Sequence, residues 1–230
     1  MKKLLPFILI CLISFSLTAC SSAKPAQTDH SKSDTKDSSE KAKKENFKNS
    51  SLAHKAVAST LQAPASVGEW VDTKRYSAID HKYHTVYLKI KDIVRDPSEV
   101  DAVITSYNES EHVNKFPPVT QENLQYCLLK YEVMFPQNFP QSETGISFSD
   151  INFKIRTPDG EDYTTVDETP INLSAVYDIS EPPKENELFS GDIYSDGLAV
   201  FMLPKNSGNY LIQNDYYLNQ EAFSSYIKGY

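Results

Sequence analysis

From residue 66 onward, apolar and polar residues alternate in short runs, and this two-residue period constrains the fold more than any other feature of the sequence. In residues 86–91, Val86, Leu88 and Ile90 share one face, and the lysines of this run occupy the other. Such alternation is typical of a β-strand that buries one face. The same pattern recurs at Cys127, Leu129, Tyr131, Val133 and Phe135, and at Ile151, Phe153 and Ile155. Residues 197–203 are apolar at both alternating sets of positions, which predicts a central strand.

Turn signals separate these runs. Pro158, Asp159 and Gly160 lie between two of them and predict a hairpin. Residues 206–208, Asn-Ser-Gly, separate the last two runs. With about seven such runs and no alternating helices, the sequence predicts an all-β fold, an immunoglobulin-like antiparallel β-sandwich.

One segment departs from the two-residue period. Asp96 is a suitable helix N-cap, Pro97 suits the first helical position, and Glu99 follows as in a capping box. Apolar residues then recur at helical spacing: Val100, Val103, Ile104 and Tyr107. This predicts one short inserted helix from residue 97 to about 110. Its apolar stripe is expected to pack on the core, the alternative being a partner-binding groove.

The first twenty residues have the pattern of an export signal. A positive start precedes an apolar stretch over residues 4–17, which is too short to cross a ~30 Å hydrocarbon core comfortably. The stretch ends in Leu-Thr-Ala-Cys at 17–20, which resembles the lipobox of bacterial lipoproteins. The resemblance implies cleavage between Ala19 and Cys20 and a diacylglycerol on the Cys20 thiol. We therefore expect a signal peptide over 1–19 and a chain anchored by acylated Cys20 at the extracytoplasmic face of the cell membrane.

Charge divides the remaining chain. Residues 21–50 hold seven Lys against five acidic residues and one aromatic residue, so we predict a disordered linker over 20–50. Residues 51–230 hold 14 Lys and Arg against 26 Asp and Glu, a net charge of −12, which argues against a nucleic acid partner. Residues 51–65 are expected to extend the linker or to form a short helix. The predicted sandwich spans 66–215, and an aromatic tail follows over 216–230.

The three cysteines agree with export. Cys11 lies in the predicted signal peptide and Cys20 is taken up by lipid, so Cys127 has no partner for a disulfide in the mature chain. A single thiol in an exported protein is a hazard unless it is buried. We therefore expect Cys127 to face the core.

Several segments together resemble the telokin-like, immunoglobulin-fold domain of Gram-positive secreted lipoproteins and antigens. They are Val67-Gly68-Glu69-Trp70, Leu88 to Arg95 with the helix Val100 to Tyr107, Tyr126 to Phe135, Ile151 to Ile155 with Asp159 to Tyr163, and Gly191 to Pro204. The resemblance covers roughly residues 66–214 and rests on the order and spacing of strands. It implies an immunoglobulin-like sandwich on a surface protein. Some members of the family are secreted antigens, and others resemble prophage lipoproteins that block DNA injection by other phages. It brings no catalytic residues.

Residues suited to catalysis or metal binding form no recognisable pattern. His81 and His84, with Asp80, offer fewer ligands than a zinc site needs, and His112 could join them only through tertiary placement. The acidic turn at 159–162 lacks the spacing of a calcium loop. The sequence contains no nucleophile elbow, P-loop or dinucleotide fingerprint. We therefore expect neither an enzyme nor a cofactor or metal.

Aromatic residues crowd the C-terminal end of the chain: Tyr210, Tyr216, Tyr217, Phe223, Tyr226 and Tyr230. Tyrosine is enriched at protein interfaces, so Tyr210, Tyr216, Tyr217 and Tyr226 form a candidate binding patch. Alternatively, they pack the last strand, where tyrosine is favoured. The sequence thus predicts a membrane-anchored surface lipoprotein that binds a protein partner of the cell envelope. A cell-wall or small-ligand receptor using these tyrosines, and a phage superinfection-exclusion lipoprotein, are the alternatives.

Overall fold

The computed structural model describes residues 56–147, 151–165, 170–218 and 221–229; Cys20 and the predicted signal peptide and linker lie outside the described residues. Within these ranges the chain forms ten strands and one helix. In chain order they are β1 (Trp70–Ser77), β2 (Lys82–Val94), α1 (Pro97–Glu109), β3 (Leu124–Met134), β4 (Phe153–Arg156), β5 (Thr164–Thr165), β6 (Ile171–Asn172), β7 (Val176–Asp178), β8 (Ile193–Pro204), β9 (Leu211–Leu218) and β10 (Glu221–Lys228).

Two antiparallel sheets carry most of these strands. The larger sheet has the order β1-β2-β3-β8-β7, and the smaller has the order β10-β9-β4. The short strands β5 and β6 pair with each other. The helix α1 packs against β3 on the outer face of the larger sheet. The larger sheet therefore packs against α1 on its outer face and against the main core on its inner face.

The main core lies on the inner face of the larger sheet. Alternate residues of β3 and β8 enter it, all of them buried: Cys127, Leu129, Tyr131, Val133, Ala199, Phe201 and Leu203. The intervening residues Leu128 and Val200 pack with Val100 of α1 in a second buried cluster. This explains why β8 is apolar on both faces, and it confirms that Cys127 faces the core.

The predicted fold class, an all-β antiparallel sandwich with one short helix, is confirmed. The strands outnumber the predicted seven or so. The strands β5, β6 and β7 are only two or three residues long and show no period, and β10 lies in the segment predicted as a tail. The turn at Gly160 forms as predicted, with φ +87°. Pairing across it is limited to one bridge between Arg156 and Asp162, because β4 pairs with β9 and β5 with β6.

The folded domain extends beyond its predicted bounds at both ends. Residues 56–65 form no helix; Val57 donates its N–H to the Trp70 carbonyl at 2.8 Å, and Ala65 bridges Ile227. Neither alternative for 51–65 therefore holds from residue 56 onward. At the other end, β10 lies where a tail was predicted, because it pairs with β9 along its whole length.

The helix begins and ends where the sequence predicts. The Asp96 carboxylate accepts the N–H groups of Ser98 and Glu99, each at 3.1 Å, so it is the N-cap. The hydroxyl of Ser98 and these N–H groups lower the pKa of the Asp96 carboxyl. The Glu99 carboxylate pairs with Lys130 of β3 at 2.6 Å. That ion pair joins the first turn of the helix to the sheet beneath it.

Candidate functional site

Tyr210 does not belong to a surface patch. It is fully buried, with its ring 6.3 Å from the ring centroids of both Tyr163 and Phe201, and the Arg95 guanidinium lies 5.4 Å from its centroid. Burial raises the pKa of its hydroxyl. Its assignment to the predicted binding patch was wrong, because β9 directs this side chain into the core.

The other candidate tyrosines lie on the hairpin of β9 and β10. Tyr216 is half-buried and stacks on Phe223, its partner across the strands, at 5.6 Å between centroids. Tyr226 is half-buried, and its backbone exchanges hydrogen bonds with the Ser59 hydroxyl. The side chain of Tyr217 lies outside the described residues. The structure therefore pairs Tyr216 with Phe223 and separates Tyr210, inside the core, from any surface formed by Tyr216 and Tyr226.

A different set of aromatic side chains gathers on the outer face of the larger sheet. Tyr107 comes from α1, Phe116 from the loop after it, Tyr126 from β3 and Tyr177 from β7; the cleft they line is called the aromatic groove below. The Phe116 ring lies 5.1 Å from Tyr107, 5.8 Å from Tyr126 and 5.9 Å from Tyr177, tilted or edge-on to each. Each such pair contributes about 0.5–1.5 kcal/mol beyond its buried area. The four rings thus form one connected array.

The backbone around Phe116 is held from both sides. The Asn108 side chain on the last turn of α1 donates to the Phe116 carbonyl at 2.9 Å and accepts the Phe116 N–H at 2.8 Å. The Tyr126 hydroxyl donates to the Pro117 carbonyl at 2.9 Å. Phe116 is therefore positioned before any partner arrives, which reduces the entropy lost on binding.

The aromatic groove has a volume of about 790 Å³. This lies within the range of ligand pockets, roughly 300–1,000 Å³. It curves around the edge strand β7, where Leu173 and Val176 line it, and its polar groups include Asn114, Lys115 and Asn152. Tyr177 is 59% exposed. An apolar surface with a few amides and an exposed ring suits an apolar side chain of another protein.

The histidines and acidic residues singled out in the sequence have separate contacts. His84 pairs with Asp80 at 2.9 Å, the His81 ring contacts the Tyr76 hydroxyl at 2.9 Å, His112 stacks on Tyr107 at 4.2 Å, and Asp162 pairs with Arg156. Although burial opposes the change, the contact with His84 lowers the pKa of the Asp80 carboxyl. No group of three or more His, Cys, Asp or Glu that could hold a metal occurs within the described part of the chain.

Cys127 is the free thiol of the domain. Burial raises its pKa to about 11, against a smaller opposing effect of the Arg95 charge. The thiolate is the nucleophilic form of cysteine, so the native thiol is inert near neutral pH.

Alkylation at pH 8 is expected to be at least about 100-fold slower for the folded chain than for the same chain in urea, because a two-unit rise in pKa alone lowers the thiolate fraction by that factor. Since the folded pKa is raised, the stability contributed by this thiol is present below pH 9 and is lost as pH rises toward 11. Thermal melts of the natural chain and of Cys127→Ala across pH 8–11 measure this loss of stability. The difference between the two chains removes the contribution of Lys and Tyr titration, which is the same in both. Equal alkylation rates for the folded and the urea-unfolded chain contradict the first expectation. Parallel stability curves against pH for the two chains contradict the second.

Comparison with known proteins finds no matching family model, no similar curated protein and no similar solved structure. The telokin-like family therefore remains a prediction from the sequence. Within the described residues, no helix is both long and apolar enough to cross a bilayer.

The aromatic groove has no clear signature in the sequence. Phe116 lies in an irregular loop and Tyr177 in a strand of three residues, so neither belongs to a periodic pattern. The one local signal was Phe116 followed by two prolines, since an aromatic residue in a rigid loop suits a surface contact. Tyr107 was identified, but as part of the packing stripe of α1, where it is only half-buried.

Proposed function

We propose that this chain is an exported lipoprotein, anchored by acylated Cys20, whose β-sandwich acts as a non-enzymatic protein-binding module. The lipobox at residues 17–20 supports the anchor. The aromatic groove is the observation that carries the binding role. Its rings are arranged and partly exposed without a partner, as expected of residues that contribute most to binding.

The chemistry of the groove favours a partner protein with an apolar or aromatic side chain that packs against Phe116 and Tyr177. The amides of Asn114 and Asn152 line the same cleft and can bond to the partner backbone. Binding of this kind needs no reacting group. An adaptor at the cell envelope accordingly fits the groove better than a receptor built on the C-terminal tyrosines, since Tyr210 is inside the core.

The predicted linker would limit how far from the membrane the partner lies. About 35 residues separate Cys20 from the first described residue, Ala56. A flexible chain of that length has a root-mean-square span of about 30 Å. The binding module would therefore stay close to the membrane, and its partner is expected to be a membrane or wall-associated protein.

The anchor is tested by Cys20→Ala in the full chain. The natural chain is expected to incorporate labelled palmitate and to enter the detergent phase, and the variant is expected to lose the label entirely. Cys127→Ala serves as the matched control and should keep the label. An unlabelled natural chain, or label retained in Cys20→Ala, contradicts the proposal.

The groove is tested by placing a photoreactive amino acid at Tyr177 in the living cell, with the same residue at Phe223 as the control position. We expect a single envelope protein to be crosslinked from 177 and not from 223. Asn108→Ala should reduce that adduct at least several-fold without unfolding the domain, because it releases Phe116 from its fixed position.

Other adducts distinguish the remaining functions. Glycan fragments alone at position 177 would indicate a cell-wall receptor and contradict protein binding. Adducts of equal yield from 177 and 223 would remove the groove as the site. A phage protein, captured only during infection, would assign the module to superinfection exclusion.

A further inference from the structure

The hairpin of β1 and β2 ends in an exposed apolar tip on a chain that is otherwise strongly acidic. Tyr76 is 51% exposed, Ile79 55% and Tyr83 38%, and these are three of the six large apolar side chains exposed among the described residues. A group of large exposed apolar side chains at one turn is a candidate interaction surface. We call Tyr76, Ile79 and Tyr83 the hairpin tip.

The hairpin tip has a defined shape. Tyr76 and Tyr83 are partners in the strand register, and their rings meet edge-to-face at 5.4 Å. The turn between them is held by the Ser77 hydroxyl, which accepts the Ile79 N–H at 3.2 Å. The Tyr76 hydroxyl contacts Nδ1 of His81 at 2.9 Å, and His81 has φ +58°. Ile79 is thus presented at the turn, with a tyrosine ring on each strand below it.

The residues of the hairpin carry a net charge opposite in sign to that of the domain. Residues 74–84 carry Lys74, Arg75 and Lys82 against Asp80 alone, whereas residues 51–230 together carry −12. Asp80 is moreover paired with His84 at 2.9 Å. An anionic lipid surface attracts nearby Lys and Arg by about 1 kcal/mol each and repels an acidic protein. This attraction and repulsion would together orient the domain with the hairpin tip toward the membrane.

The size and chemistry of the hairpin tip indicate what kind of surface it binds. Three side chains bury far less than the ~1,600 Å² of a stable protein interface. Tyrosine is nevertheless enriched at membrane–water boundaries, where its ring is apolar and its hydroxyl stays wet. Contacts too weak to recruit a free protein are sufficient for a tethered one, because the tether keeps the local concentration high.

We infer that the hairpin tip inserts into the headgroup region of an anionic lipid surface and orients the anchored domain on the membrane. The inference rests on the proposed lipid anchor at Cys20 for the high local concentration. The tip lies at the far end of β1 from Val71, which bridges Val57 where the described chain begins. The tether and the tip therefore hold the domain at two separate points.

The test places a tryptophan at the tip. Ile79→Trp and the control Val113→Trp, at a loop position that is 95% exposed, are purified as full lipidated chains. They are reconstituted into vesicles of phosphatidylglycerol and phosphatidylcholine, 3:7, with bromine on the upper acyl carbons. We expect at least about twofold quenching and a blue shift for the indole at position 79 and no change for the indole at position 113, with the natural chain as the background for Trp70. Quenching at position 79 should fall in pure phosphatidylcholine and at 0.5 M salt, where the charge attraction is screened.

Flotation of the same vesicles separates the two proposals. If the Ile79→Trp chain floats with the vesicles while its new indole is unquenched, insertion of the hairpin tip is contradicted and the lipid anchor is supported. Equal quenching at positions 79 and 113 also overturns the tip, because the domain then has no preferred orientation. Chains that do not float overturn both.

Discussion

Gly197→Ala is expected to lower the free energy of unfolding by about 2–3 kcal/mol, since overpacking a filled core costs about 1–3 kcal/mol and here displaces a hydrogen-bonded ring as well. Gly197 of β8 lies directly opposite Tyr131 of β3. A Cβ atom at residue 197 would lie 2.4 Å from the Tyr131 ring, far inside contact distance. Tyr131 is fully buried, so its ring cannot move aside without disturbing the core. Urea unfolding of the full chain measures the change.

Gly208→Ala is the matched control. A Cβ atom there meets nothing within 4 Å, and neither glycine has a positive φ, so backbone strain does not enter either substitution. Gly208→Ala is expected to be neutral or slightly stabilising, because it reduces the freedom of the unfolded chain. Equal unfolding midpoints for the two variants would show that Tyr131 yields at no cost, contrary to the packing described.

Asp178→Ala is expected to cost about 3 kcal/mol of unfolding free energy, since it leaves the buried Ile151 N–H without its acceptor, at about 1–3 kcal/mol, and reduces the contacts of the buried Tyr131 hydroxyl to the one with Ser180. One carboxylate oxygen accepts the Tyr131 hydroxyl at 2.5 Å and the Ile151 N–H at 3.0 Å. The other accepts the N–H and the hydroxyl of Ser180, at 3.0 and 2.6 Å. Asp178 thereby ties the edge strand β7 to β3 and to the segment that leads into β4. Burial and this carboxylate both raise the pKa of the Tyr131 hydroxyl, which stays a donor.

The pairwise contribution comes from a double-mutant cycle with Tyr131→Phe. We expect a coupling energy of at least about 1 kcal/mol between the two residues, because they share one hydrogen bond in the core. Asp92→Ala, at an exposed position whose carboxylate contacts the neighbouring N–H, is the surface control and should change stability by less than about 0.5 kcal/mol. Additive costs for Tyr131→Phe and Asp178→Ala would show that the two side chains are not energetically coupled.

The alternating strands β2, β3, β4 and β8 and the helix could be predicted because their signals are local. The alternation of β3 placed Cys127 inward, and the capping residues around Asp96 predicted where α1 begins. The short strands β5 to β7 were not predicted, since two or three residues carry no period. The same local pattern misassigned Tyr210, because a tyrosine in a strand gives the same signal whether it faces solvent or core.

Which distant residues meet depends on strand order, and strand order is a property of the whole fold. Local patterns along the chain, alternation for the strands and capping with helical spacing for the helix, were enough to determine the all-β class, the helix and the buried thiol. The aromatic groove exists only because β7 lies beside β8 at the edge of the larger sheet, which brings Tyr177 under Phe116. In the same way, the register between β1 and β2 sets Tyr76 against Tyr83. Spacing in the sequence carries no record of these pairings, because they arise when separate segments bury their apolar faces together.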